Sequence, residues 1–178
     1  MKIARVQYQG EVYPATLTCR GYAIDPGLGG LGDSHPCGSL PAGTEVGPEE
    51  VTLLPPVIPG KILGVGWNFR EHIKEMVERA GRTPVDPPRE QLPHPILFFK
   101  PPSSLIGHGQ AIVYPSDATR VEYEGELAVV ISRETRRVTP NEARRCVLGW
   151  TCANDVTERD MQGVDKQWWR AKGYDTFA

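Results

Sequence analysis

The stretch Val121–Ile131 constrains this chain more than any other. It reads Val-Glu-Tyr-Glu-Gly-Glu-Leu-Ala-Val-Val-Ile: charged and apolar residues alternate, then the run turns apolar. A strand that leaves a polar site and enters a core has this pattern. Side chains on a strand repeat every second residue, so Glu122, Glu124 and Glu126 are expected on one face. Three carboxylates on one face repel one another, and a divalent cation among them is an economical way to offset that repulsion. A solvated, charged sheet edge is the other reading of the same residues.

The chain has 178 residues, enough for one good core or for a core with a small appendage. With 39% hydrophobic and 24% charged residues it has a globular composition, not a disordered one. The 19 glycines and 17 prolines, with few long helical patterns, favour a turn-rich α+β architecture that is mainly β. A net charge of -2 gives no general attraction to nucleic acid or to an anionic membrane, so neither is expected as a partner. Met1-Lys2-Ile3-Ala4-Arg5 lacks the apolar run of a signal peptide, and no stretch is long and apolar enough to span a bilayer. Cys19, Cys37, Cys146 and Cys152 form no C-x-x-C pair and read as reduced thiols of a cytoplasmic protein.

Along the chain, Ile3–Tyr8 and Glu11–Leu17 flank Gln9-Gly10 and predict a β-hairpin. The segment from Gly21 to Gly47 holds eight glycines and reads as loop, with His35 a solvated member of it. Val51–Pro59 reads as an extended linker, which puts a boundary near residue 55: a small β-rich unit over 1–55 and a second unit over 56–178. Lys61–Gly66 predicts a buried strand. Gly64 and Gly66 are not followed by the third glycine of a dinucleotide loop, which excludes a Rossmann reading. Asn68 can cap a helix from about Phe69 to Ala80 that stops at Gly81, with Ile73, Met76, Val77 and Ala80 on one face.

On that helix His72 and Glu75 stand three residues apart and are surface neighbours. A carboxylate beside an imidazole suits a general base. A plain solvated face is the competing reading, given Glu71, Lys74, Glu78 and Arg79 around them. Thr83–Pro95 carries five prolines and is a stiff loop, either a lid or a simple connection. Ile96–Phe99 predicts a short buried strand, and Leu105–Tyr114 a turn into another. Thr139-Pro140-Asn141-Glu142 is a helix start with a capping box. Trp150–Thr157 predicts a strand that delivers Asp155 near its end, followed by a polar turn or short helix with Arg159, Asp160 and Gln162.

Several of these pieces, in order and spacing, resemble one known family over roughly residues 52–178. They are Lys61–Phe69 with His72 and Glu75; Phe98-Phe99-Lys100-Pro101; Tyr123–Leu127; Asn154–Gln162; and Arg170–Phe177. Together they are similar to the catalytic domain of the fumarylacetoacetate hydrolase family. The resemblance implies a mixed β-sandwich or β-roll catalytic domain behind the small N-terminal β domain. It implies Mg²⁺ or Mn²⁺ held by Glu124, Glu126 and Asp155, with Glu122 behind them. It implies His72 and Glu75 as an acid/base pair, joined by Lys172 in catalysis. Arg159, Gln162 and Lys172 would hold a substrate carboxylate or a developing oxyanion. Such substrates are 2-oxo or 2-hydroxy-2-enoic acids, whose carboxylate and adjacent oxygen can chelate one cation.

The expected activity is isomerisation or decarboxylation of 2-hydroxyhepta-2,4-diene-1,7-dioate-type intermediates of aromatic breakdown. The alternatives are an acylpyruvate C–C hydrolase, an oxaloacetate decarboxylase/tautomerase, and, from another class, a non-catalytic remnant of the fold. A homodimer is expected from the family alone. Trp67, Trp150 and Ser132 depart from the usual pattern. Family members also normally continue through further strands and a late Thr-Gly-Thr-Pro loop. The chain is therefore expected to be a fragment, a cleaved product or part of an assembly.

Overall fold

Gln9 and Gly10 both take left-handed φ angles, 50° and 87°, the sign that both central residues of a type I′ hairpin turn require. They join β1 (Ile3–Tyr8) to antiparallel β2 (Glu11–Leu17), with Tyr8 opposite Glu11, as the sequence led us to expect. A computed structural model describes residues 1–28, 40–79, 81 and 94–178. His35, Ala80 and residues 83–93 of the proline-rich loop, all given expectations above, lie outside the described residues.

Three further short strands complete the first sheet: β3 (Tyr22–Ile24), β4 (Glu45–Val46) and β5 (Thr52–Leu54), in the order β4-β3-β2-β1-β5. Val6, Tyr13, Ala15, Tyr22, Ile24 and Val46 form its buried core. The extended linker expected over Val51–Pro59 is corrected here. Its first part is strand β5, with Leu53 opposite Val6, and Val51 and Leu53 pack on the core. Thr52, Leu53 and Leu54 retain backbone N–H groups for a ladder, and the strand stops where Pro55 and Pro56 have none.

The strand β6 (Ile62–Gly66) pairs with β7 (Ile96–Lys100), with Gly64 opposite Phe98. Both were expected to be buried, but only one face is covered. Phe98 and Lys100 are buried while Leu63, Val65, Leu97 and Phe99 are exposed. Between them runs α1 (Arg70–Arg79), closed by Gly81 at φ 68°, whose N–H donates to the Glu78 carbonyl at 2.8 Å.

The single strand expected over Val121–Ile131 is two: β8 (Val121–Glu122) and β9 (Gly125–Ile131). Opposite them stand β11 (Thr157–Glu158) and β10 (Val147–Asn154), which break at the same level. At the break the Glu124 N–H donates to Asn154 Oδ1 at 3.1 Å, and the Asp155 N–H donates to the Glu124 carbonyl at 2.8 Å. A side-chain amide thus replaces a ladder partner, and the kink brings Glu124 beside Asp155.

The capping box at Thr139 is formed and starts α2 (Pro140–Arg144). The short helices α3 (Arg159–Val164) and α4 (Trp169–Lys172) follow β11. No strand is described over Leu105–Tyr114, against expectation. Gln110 Oε1 accepts from the Gly107 N–H at 2.5 Å and the Val113 N–H donates to Thr176 Oγ1, so side chains take up the backbone groups a strand would need. The architecture is mainly β with a few short helices. No helix among the described residues is long and apolar enough to cross a membrane.

Candidate active site

A cavity of about 790 Å³ opens between the β6–α1 junction, the β8–β9 break and the α3–α4 region. Its charged wall holds Glu122, Glu124, Glu126, Asp155, Arg159, Gln162 and Lys172, and His72 and Glu75 of α1 also line it. Every residue given a site role from the sequence therefore reaches one cavity. Trp67, Phe69, Phe98 and Trp168 add an aromatic part to the lining. Trp67 and Trp168 both have left-handed φ angles, 54° and 59°, a conformation that costs a bulky residue energy.

Asp155 is the centre of the electrostatics. It is buried just past the end of β10. Its Oδ1 accepts from Lys100 Nζ at 2.5 Å, and its Oδ2 accepts from Lys172 Nζ. Lys172 also donates to Glu124 Oε2 at 3.1 Å and Thr157 Oγ1 at 2.9 Å, and lies 4.7 Å from the centre of the Phe98 ring. Arg159 binds Glu122 Oε2 at 2.7 Å through Nε, approaches Glu124 Oε1 at 2.5 Å through Nη1, and donates to Gln162 Oε1 at 3.0 Å.

Burial alone would raise the Glu124 pKa, but Lys172 and Arg159 together bring it below the usual carboxylate value. Glu126 has the opposite balance. Burial, then the charges of Asp155 and Glu124, push its pKa up, and Lys172 offsets only part of this. Burial lowers the Lys100 pKa, against the pull of Asp155.

A divalent cation at this wall is testable against the donor set. Glu124, Glu126 and Asp155 offer the hard oxygens that Mg²⁺ and Mn²⁺ prefer. Among the described residues Glu124 Oε1 is the buried side-chain atom without a hydrogen bond, but it is ion-paired with Arg159 Nη1 at 2.5 Å and so already has a cation beside it. Burial and the charges of Asp155 and Glu124 raise the Glu126 pKa, which fits a cation there. Against this, no group of three or more His, Cys, Asp or Glu among the described residues is gathered tightly enough to hold a metal ion. Lys172 bridges Glu124 and Asp155 as their cation. The donor chemistry suits a hard dication, but the described arrangement does not gather the three carboxylates around one.

The residue that sequence reading missed is Lys100. It was noted only as part of a motif, yet it is buried against Asp155. The signal was in the register. On a strand Lys100 shares a face with Phe98, which the apolar run already assigned to the interior.

Residues 61–178 match the fumarylacetoacetate (FAA) hydrolase C-terminal family. The chain belongs to the fumarylacetoacetate hydrolase family. An uncharacterised protein of Archaeoglobus fulgidus is 48% identical over 136 residues, covering 76% of this chain and 50% of that protein. A mitochondrial oxaloacetate tautomerase of Homo sapiens is 40% identical over 131 residues, 72% of this chain and 38% of that protein. Among solved structures, a 2-hydroxyhepta-2,4-diene-1,7-dioate isomerase from Mycobacterium marinum shares the fold. It has a TM-score of 0.69 and 32% identity, and the match covers 99% of this chain and 62% of that one. The chain thus spans half or less of the length of these curated relatives. Members of the fumarylacetoacetate hydrolase family include isomerases and tautomerases by these names.

Proposed function

We propose that this chain carries the active site of a divalent-metal-dependent enzyme acting on small 2-oxo or 2-hydroxy-2-enoic acids. One observation carries the reading. The cavity sets four carboxylates, three of them held by Lys172 and Arg159, in the same space as His72 and Glu75. Mg²⁺ or Mn²⁺ would be held by Glu124, Glu126 and Asp155, and when bound it would supply Lewis-acid stabilisation of enolate charge.

The protein's own groups do the rest. Arg159 and Lys172 present cationic donors to a substrate carboxylate or oxyanion, and the Gln162 amide adds a further polar contact. Each such preorganised donor is worth about 3 kcal/mol to a developing oxyanion. His72 accepts a proton from the substrate carbon or from water, and Glu75, one helical turn on, orients the imidazole. Arg159 spans Glu122 and Glu124, which fixes the donor before substrate arrives and spares its ordering during reaction.

The leading activity is isomerisation or decarboxylation of 2-hydroxyhepta-2,4-diene-1,7-dioate-type acids, in a homodimer of aromatic catabolism. The solved isomerase from Mycobacterium marinum supports it. Oxaloacetate tautomerisation is the second reading, favoured by the human relative at 40% identity. Acylpyruvate hydrolysis uses the same groups.

The test follows loss of enol ultraviolet absorbance for each acid, with Mg²⁺ and again with excess EDTA. Turnover of the dienedioate that EDTA abolishes is the expected result. Turnover confined to oxaloacetate would move the assignment to the tautomerase. Turnover that survives EDTA would overturn the metal.

A further inference from the structure

Lys100 lies behind Asp155. It is 4% exposed and does not line the cavity, whereas Asp155 and Lys172 do. Its Nζ donates to Asp155 Oδ1 at 2.5 Å and to the Val156 carbonyl at 3.1 Å. The second bond ties the ammonium to the backbone that follows Asp155, so carboxylate and cation are fixed to the same piece of chain. The strand β7 holds the other end, with Phe98 and Lys100 on its buried face. Lys172 differs in its surroundings. Its partners Glu124 and Asp155 line the cavity, and it reaches them from the short helix α4.

We propose that Lys100 is a positioning residue for Asp155. It holds Oδ1 from behind as a permanent internal counter-cation, so that Asp155 presents Oδ2 alone to the cavity. Lys172 is the ammonium that yields its place when a divalent cation enters. The inference rests on the metal reading above.

Two effects of removing Lys100 have opposite signs, and this makes the proposal testable. Taking a positive charge away from a group of carboxylates strengthens their pull on a dication. Freeing Asp155 from its partner disorders a ligand, which weakens metal sites by about 10- to 100-fold when outer partners are removed elsewhere. Positioning predicts that the second effect wins.

Mn²⁺ binding is measured without substrate, by the electron spin resonance of free Mn²⁺, on wild type, Lys100→Met and Lys100→Gln. Far-UV circular dichroism checks each fold. Lys100→Met should bind Mn²⁺ about 10- to 100-fold more weakly, and Lys100→Gln, which restores an N–H donor without the charge, should recover part of that loss. Unchanged or tighter binding by folded Lys100→Met overturns the proposal. So does equal loss in both variants, which would show that hydrogen bonds holding Asp155 are not what Lys100 contributes. If wild type takes up no Mn²⁺, the metal reading falls and this inference with it.

Wild-type protein supplies a readout that needs no variant to fold. In a Mg²⁺ titration followed by ¹⁵N NMR of the lysine side chains, the Lys172 signal should move and the Lys100 signal should stay. A Lys100 signal that moves with Lys172 overturns the assignment.

Discussion

At the residue scale the site is a problem in charge balance. Glu122, Glu124 and Asp155 are ion-paired with Lys100, Arg120, Arg159 and Lys172. None of these pairs includes Glu126, whose pKa is raised by burial and by its acidic neighbours. Lys172 is bound to Glu124, Asp155 and Thr157 while only 3% of its side chain is exposed. Breaking a buried pair by removing one partner costs about 3–5 kcal/mol, because the other charge stays buried and unpaired. Lys172→Met should therefore lower the free energy of urea unfolding by about 3 kcal/mol in metal-free protein, and adding Asp155→Asn should recover part of it. A loss below about 1 kcal/mol, the range of an exposed pair, would show that this ammonium is solvated. The sequence made part of this site legible. Alternation drew attention to Glu122, Glu124 and Glu126 and helical spacing to His72 with Glu75, but each pattern also read as a solvated face, and the strand itself breaks at Glu124; the roles came from family resemblance. Asp155, Arg159 and Lys172 carried no local pattern and rested on family resemblance alone. Lys100 was missed because a lysine ending an apolar run reads as the point where a strand meets water; the register it shares with Phe98 pointed inward, and Asp155 is the partner that offsets its charge there.

At the scale of elements, the structure departs from the sequence where strands are interrupted. Alternation over Val121–Ile131 cannot show that Asn154 Oδ1 takes a backbone donor and splits the strand at Glu124. The hairpin at Gln9-Gly10 and the capping box at Thr139 were legible because their determinants lie within a few residues of one another. The pairing of β6 with β7 has a non-local determinant. A Cβ at Gly64 would run into the ring of Phe98, its cross-strand partner. Gly64→Ala should therefore cost about 1–3 kcal/mol, the usual penalty of overpacking, and adding Phe98→Leu should recover part of it. Equal melting temperatures for wild type and Gly64→Ala would contradict that packing. The link from α3 to α4 makes a pH prediction. Asp165, which ends α3, takes hydrogen bonds from the Arg170 guanidinium, and these hold its carboxyl below the ordinary value. A carboxylate with a depressed folded-state pKa contributes stability that is present above its unfolded pKa, about 4, and lost as pH falls through the folded one. The thermal midpoints of wild type and Asp165→Asn should thus differ at pH 6 and converge as pH falls below about 4. A difference that persists at the lowest pH would mean that the interaction does not depend on the carboxylate charge.

At the scale of the whole molecule, the two ends of the fold are finished to different degrees. The five-stranded sheet buries its own core around Val6 and Ile24. The ribbons β6–β7 and β9–β10 cover only one face each: Leu63, Val65, Leu97 and Phe99 stand exposed on the first, and Leu127, Val129, Ile131 and Trp150 on the second. Period-two alternation in β9 predicted two distinct faces but could not say that the apolar one would be open. Each large apolar side chain left in water forgoes roughly 1.5–3 kcal/mol of burial, and a two-stranded ribbon is marginal without a covered face. Contiguous exposed apolar surface of this kind associates. The 178-residue chain by itself should therefore bind an environment-sensitive apolar dye and sediment faster as its concentration rises. Leu127→Lys with Trp150→Lys should reduce both effects while leaving the far-UV circular dichroism unchanged, since both side chains are mostly exposed, at 65% and 63%. If the double variant binds dye and self-associates as wild type does, the face formed by β9 and β10 is not the one that drives association, and β6–β7 carries it instead. If wild type binds no dye and stays monomeric, neither face is open to water in solution, and the exposure of both ribbons is contradicted.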